Sequence, residues 1–212
     1  MSGTKGRESK SRNAVFFFLL IVFSSMGSCR MKTAKPKEYL HYIQSKSSGL
    51  VQEKEIDKIV FEVRYLTPEA MALNELKSLT PEKKEFKKAL KEYEGLNYYQ
   101  MKIRSKDPDG HIFNTLKAQG FSSEDIERHL RFEAQNKISV EEGKDTCSVL
   151  LYSFSETYGL SKDLVVALGT ENKDTMKIHD KTFDFDADIL NRGLLKFKFN
   201  RSDLNKIPKL EY

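Results

Sequence analysis

With 212 residues, of which 39% are hydrophobic and 11% aromatic, the chain is long enough to bury one core, and its aromatic residues supply the bulk. The formal charge of +5 does not argue for nucleic-acid binding: residues 1–28 hold Lys5, Arg7, Lys10 and Arg12 against the single acid Glu8, so without them +5 falls to +2. Two cysteines, Cys29 and Cys147, rule out a disulfide-rich scaffold.

The four cations lead into an unbroken apolar stretch over residues 14–23, followed by Ser24, Ser25, Gly27 and Ser28. Basic region, short apolar core and small residues, in that order, make a secretory leader. A spanning helix needs about 20 apolar residues, and this run stops short of that. Met26-Gly27-Ser28-Cys29 then resembles the lipobox of bacterial lipoproteins, departing from it in Met26, where leucine is usual. The resemblance implies cleavage after Ser28, diacylglycerol on the Cys29 thiol and a new amino terminus open to further acylation. Several acyl chains on one residue anchor stably where one binds marginally. Arg30 stands where an aspartate would favour inner-membrane retention, so the class implies an outer-membrane anchor facing the periplasm. An ordinary secreted protein, or an uncleaved anchor with an incidental Cys29, are the other readings of these residues. The expected division is a leader over residues 1–28, a lipidated tether over 29–37 and one domain over 38–212.

Within that domain Tyr39, Leu40 and Ile43 share helical spacing. Residues 50–66 read as a hairpin turning at Asp57-Lys58, with Val60, Glu62 and Arg64 on one face and Phe61, Val63 and Tyr65 on the other. Thr67-Pro68-Glu69 and Thr80-Pro81-Glu82 each supply a capping hydroxyl, a proline and an acid, so two helices are expected there. The first aligns Ala72, Leu73, Leu76 and Leu79; the second aligns Phe86, Ala89, Leu90 and Tyr93 and has Gly95 as terminator. Residues 97–105 read as a strand and Asp107-Pro108-Asp109-Gly110 as a turn. Ser122 caps a further helix, stapled by Phe121 and Ile126, whose inner face is Ile126, Leu130, Ala134 and Ile138. Residues 146–155, 164–168, 182–189 and 194–200 are the last expected strands. Helices in the middle and strands at both ends predict an α+β single domain, a mainly antiparallel sheet with helices packed on one face.

Several constellations invite chemistry. Asp184, Asp186 and Asp188 are spaced like the first ligands of a calcium loop, but Ile189 and Leu195 occupy the positions that need glycine and glutamate. On a strand they would instead face lysines of the next strand, Lys196 and Lys198, as a charge-paired surface. His41, His111, His129 and His179 fall in separate elements without zinc-ligand spacing, so no metal or other cofactor is expected. His129 lies one turn from both Asp125 and Glu133, as on many helix surfaces. Cys147 reads as a buried strand residue without an intramolecular partner once Cys29 is lipidated. Lys84, Lys87, Lys88 and Lys91 share one helical face, read as solvated although suited to anionic headgroups or an acidic partner. No catalytic residue is assigned.

GLVQEKEIDKIVFEVRY and LLKFKFNRSDLNKIPKLEY are similar to segments of envelope lipoproteins of the Bacteroidota kind. That resemblance implies an outer-membrane lipoprotein of no known chemistry. The expected function is a lipid-anchored binding or structural module, held to the membrane by its lipid and acting through contacts with a protein partner in the envelope, without nucleic acid. The alternatives are an envelope hydrolase or thiol enzyme using Cys147 with a histidine, and an inhibitor or immunity-like protein.

Overall fold

The computed structural model describes residues 33–155, 161–173 and 177–211; the leader, the cleavage point at Ser28 and the lipid site at Cys29 lie outside the described residues. Residues 32–212 form one compact unit. The elements are β1 (Thr33–Ala34), α1 (Pro36–Gln44), β2 (Val51–Ile56), β3 (Ile59–Leu66), α2 (Pro68–Leu76), α3 (Lys83–Lys91), β4 (Leu96–Ser105), α4 (Ile112–Ala118) and α5 (Ser123–Phe132). There follow β5 (Ile138–Glu142), β6 (Asp145–Cys147), β7 (Val149–Phe154), β8 (Leu164–Glu171), β9 (Lys181–Asp186), β10 (Leu194–Phe199), α6 (Arg201–Leu204) and β11 (Lys209–Leu210).

The fold is α+β with mainly antiparallel pairing, as expected. The strands, however, divide between two sheets, ordered β2-β3-β4-β8-β7 and β10-β9-β5-β6, while β1 and β11 make a short parallel pair. Alternation along β3 puts Ile59, Phe61, Val63 and Tyr65 on the face toward the second sheet, where Phe61 meets Phe185 at 6.4 Å and Tyr65 meets Phe199 at 6.2 Å between ring centres. The helices add Phe86, Ile112, Leu116, Ile126 and Leu130 to the same buried cluster. Beyond it, the other face of the first sheet is a charged ladder in which Arg104 meets Glu53 at 3.0 Å and Arg64 meets Glu62 at 2.5 Å.

The β2–β3 hairpin turns in two residues, with Ile56 opposite Ile59 and both Asp57 and Lys58 left-handed (φ 47° and 68°). Those angles give the turn a twist that matches the strands. Thr67 caps α2 by accepting from the Ala70 amide. The second Thr-Pro-Glu does not act alike: α3 is capped at Glu82, with no side-chain cap bond. Lys77 is left-handed and ends α2, so Leu79 leaves the expected stripe and is 49% exposed.

Two other boundaries move. Ala134 and Ile138 are buried with Ile126 and Leu130, but α5 stops at Phe132, and Ile138 opens β5. Residues 146–155 are two strands rather than one, because the chain changes sheets at Ser148: Cys147 pairs with Val140, and Val149 pairs with Thr170. The fold is also engaged at Thr33, within the stretch expected as tether, since Thr33 and Ala34 run beside Lys209 and Leu210.

The packing predicts a sharp contrast between two phenylalanines. Phe185→Ala empties a site buried between the sheets and is expected to lower unfolding free energy by about 3–5 kcal/mol. Phe132→Ala, at a side chain 71% exposed, should stay within about 0.5 kcal/mol. Denaturant midpoints at constant m-value test both.

Candidate functional site

A cleft of about 1250 Å³ opens where the tip of the β2–β3 hairpin, the start of the chain after β4, α4 and the β9–β10 connection come together. Its order comes from short-range bonds. Ser105 Oγ accepts from the Asp107 amide (3.2 Å) and from Thr115 Oγ1 (3.0 Å), and Asp107 Oδ1 accepts from the Asp109 amide (3.1 Å). Gly110 closes this turn where a Cβ would lie 2.8 Å from Ser105 Oγ. His111 Nδ1 accepts from the Phe113 amide (3.3 Å) and so caps α4, a helix absent from the sequence reading. Ile112 and Leu116, one turn apart ahead of Gly120, were its signal.

Arg192 ties the cleft across the chain. Its Nη1 lies 3.3 Å from Asp57 Oδ2 and its Nη2 donates to Gln119 Oε1 at 2.7 Å, while Gln119 Nε2 donates to the Asp57 carbonyl at 2.5 Å. The Arg192 side chain is only 12% exposed, and its Nε is buried without a partner. Lys58, Lys106, His111 and Asn114 complete a polar wall, and Ala118 and Phe121 give an apolar strip. Such a surface can bind a polar group by several directed hydrogen bonds with apolar contact beside them. Arg192 pairs with Asp57 inside the cleft and Lys106 pairs with Glu55 outside it at 2.6 Å, which leaves no strong single sign.

Cys147 lies elsewhere, in a buried polar cluster on the inner side of the sheets. Its Sγ is 4.0 Å from Glu142 Oε2, and Glu142 Oε1 meets Lys181 Nζ at 2.5 Å. The Lys173 amide also donates to Glu142, at 3.2 Å. Burial first, and the Glu142 carboxylate second, push the Cys147 thiol above its ordinary range. A thiol held protonated beside a carboxylate is a hydrogen-bond donor, the opposite of an activated nucleophile. Three polar atoms of the same inner face, Asn97 Nδ2, Tyr99 Oη and Thr170 Oγ1, are buried without a partner.

The remaining sequence candidates resolve into local pairs. His129 Nδ1 meets Glu133 Oε2 at 3.0 Å while Asp125 turns to Arg128 at 3.2 Å, so the two acids do not share the histidine. Asp184 meets Lys196 across the hairpin at 2.6 Å, as the alternation expected. Asp186 faces Leu194 in the register and pairs with Lys137 at 2.8 Å instead, and Asp188 begins a single helical turn. Among the described residues no group of three or more His, Cys, Asp or Glu is arranged to hold a metal ion. No helix of the described residues is long and apolar enough to cross a membrane. No family model matches the chain, and neither a curated protein nor a solved structure matches it.

The buried pair yields a first test. Glu142→Gln strands the Lys181 charge and is expected to cost about 3–5 kcal/mol, whereas Glu142→Leu with Lys181→Met together should cost far less, as measured by denaturant unfolding. The raised groups yield a second. Burial also lifts the Tyr152 phenol to about 12. A folded-state pKa above the unfolded one lets the native state keep a proton that the unfolded chain has lost. Stability is therefore whole below the unfolded values and falls as pH rises through the folded ones. Unfolding midpoints should drop between about pH 9 and 12, and Cys147→Ala should remove the lower part of that drop. In a Cys29→Ala chain, where Cys147 alone reports, a thiol reagent near neutral pH should label slowly until the protein is unfolded.

Proposed function

We propose that this chain is a lipid-anchored lipoprotein of the cell envelope, attached through Cys29 and acting as a binding or structural module toward an envelope protein. The supporting motif is Met26-Gly27-Ser28-Cys29 behind a basic and apolar leader. The observation that favours a binding role is the separation of the two ends of β3. At its far end Thr67 bonds the Tyr39 hydroxyl at 2.7 Å, and Tyr39 sits on α1, close behind Thr33 where the chain enters the fold. At its near end is the hairpin tip, Asp57 and Lys58, which lines the cleft.

Eight strand residues separate these ends, about 26 Å at 3.3 Å per residue. From Cys29 to Thr33 the chain reaches about 14 Å at most. A domain held that closely at the α1 end presents the cleft away from its attachment, open to a partner. The inhibitor-like reading shares this arrangement and differs only in the partner. The thiol-enzyme reading gains nothing from a Cys147 that is buried and held protonated.

Intact mass of the protein extracted from membranes tests the proposal directly. The expected species begins at residue 29 with added acyl mass, and Cys29→Ala loses both the lipid and the membrane attachment that depends on it. An unprocessed amino terminus, or a cleaved chain without lipid, would sink the anchored reading.

A further inference from the structure

We propose that the exposed face of α3 formed by Lys84, Lys87, Lys88 and Lys91 docks on an anionic lipid surface. At 100° per residue these four side chains fall within roughly 100° of arc, opposite Phe86 and Ala89, which are buried. All four are exposed, and none has an ion-pair partner among the described residues. The cations of the first sheet's charged ladder differ: Arg64, Lys102, Arg104 and Lys106 each meet an acid within 3.6 Å. Charge is neutralised on that ladder and left open on α3.

Position supplies the occupant. β3 ends at Leu66 and β4 begins at Leu96, with Leu66 paired to Tyr98, so α2 and α3 are the connection between strands at the end of the sheet where α1 also packs. The Tyr39–Thr67 bond joins α1 to the start of α2, and α2 packs along α3. Neighbouring helices lie about 8–10 Å apart, which puts the lysine face within about 20 Å of the helix that follows the tether. With three residues, Arg30 to Lys32, between Cys29 and Thr33, a lipid surface holding Cys29 would lie within reach of this end of the domain, and its anionic headgroups would complement those lysines. Glu85 borders the arc and Glu92 lies beyond the helix, so neither interrupts the four.

This orientation rests on the anchored reading, and the test separates the two. The full-length protein is mixed with vesicles of phosphatidylcholine alone and of phosphatidylcholine with phosphatidylglycerol, and amine labelling of each lysine is followed by mass spectrometry. Retention on the neutral vesicles reports the anchor. The difference between vesicles reports the face: Lys84, Lys87, Lys88 and Lys91 should label several-fold more slowly on the anionic vesicles, and high salt should abolish the protection. In the variant with all four lysines changed to glutamine, affinity for the anionic over the neutral vesicles should fall by about fivefold per lysine removed. Equal labelling on both vesicles overturns the proposal, including the case in which these lysines are protected only in native envelopes, which would assign the face to an acidic protein. Protection on anionic vesicles without retention on neutral ones would uphold the face and remove the anchor.

Discussion

The ring of Tyr99 lies against Phe183 and Phe199 of the facing sheet, with centres 5.6 and 5.9 Å away, while Tyr65 packs on Tyr99 edge-on at 5.5 Å and reaches Phe199 too. Each such ring buries about 150–250 Å² and prefers offset or edge geometry, so this contact sets both how close the sheets come and how they align. The rest of the domain depends on that alignment. A shift of β9 by one residue would turn Phe183 and Phe185 outward and bring Asp184 into the core. The lysine–aspartate pair on the outer side, Lys196 with Asp184, exists only in the register that the aromatic side has already fixed.

Toward the start of β4 the same inner face changes character. Asn97 pairs with Thr170 across the strands, and Glu142 pairs with Lys181 across theirs, so polar residues replace rings at this end. Tyr65 bridges the two kinds of packing: its hydroxyl donates to Asn97 Oδ1 at 3.1 Å, and its ring faces Lys181 Nζ at 5.9 Å. A buried ion pair gains little over a well-packed apolar substitute but is expensive to break. Its effect here is on which arrangement of sheets is tolerated, because any slip that separates Glu142 from Lys181 leaves two charges unmatched in the interior. Cys147 fits that role as a small side chain whose thiol adds a donor to Glu142.

Much of this architecture was legible along the chain where the signal is local. The β2–β3 hairpin, the Thr67 and Ser122 caps and the alternation of Phe183, Asp184 and Phe185 depend on neighbours within a few residues, and the structure agrees with each. What the sequence left hidden is set by partners far away. Nothing local says that the chain should change sheets at Ser148, since Cys147 and Val149 both suit a strand; Val140 and Thr170 decide it. Thr80-Pro81-Glu82 has the chemistry of a helix start, but Lys77 has already ended α2, and Glu82 becomes the cap two residues on. The cleft was missed for the same reason. Asp57, Gln119 and Arg192 are separated by more than sixty residues at each step, and no spacing rule joins them.

Distance along β3 connects the fold to the proposed use. The strand is held at one end by α1 through Tyr39 and Thr67, and at the other its hairpin tip lines the cleft, so the α1 end and the cleft are referred to one element. Because the link from Cys29 to Thr33 reaches less far than β3 is long, a chain anchored at Cys29 would keep its spacing from strand length rather than from linker slack. Anchoring and partner binding would then be separable: changes on α3 would act on how the domain rests on a surface, and changes at Arg192 on what it meets. The parallel pairing of Thr33 and Ala34 with Lys209 and Leu210 would add to that separation, since it holds the strand ahead of α1 against β11.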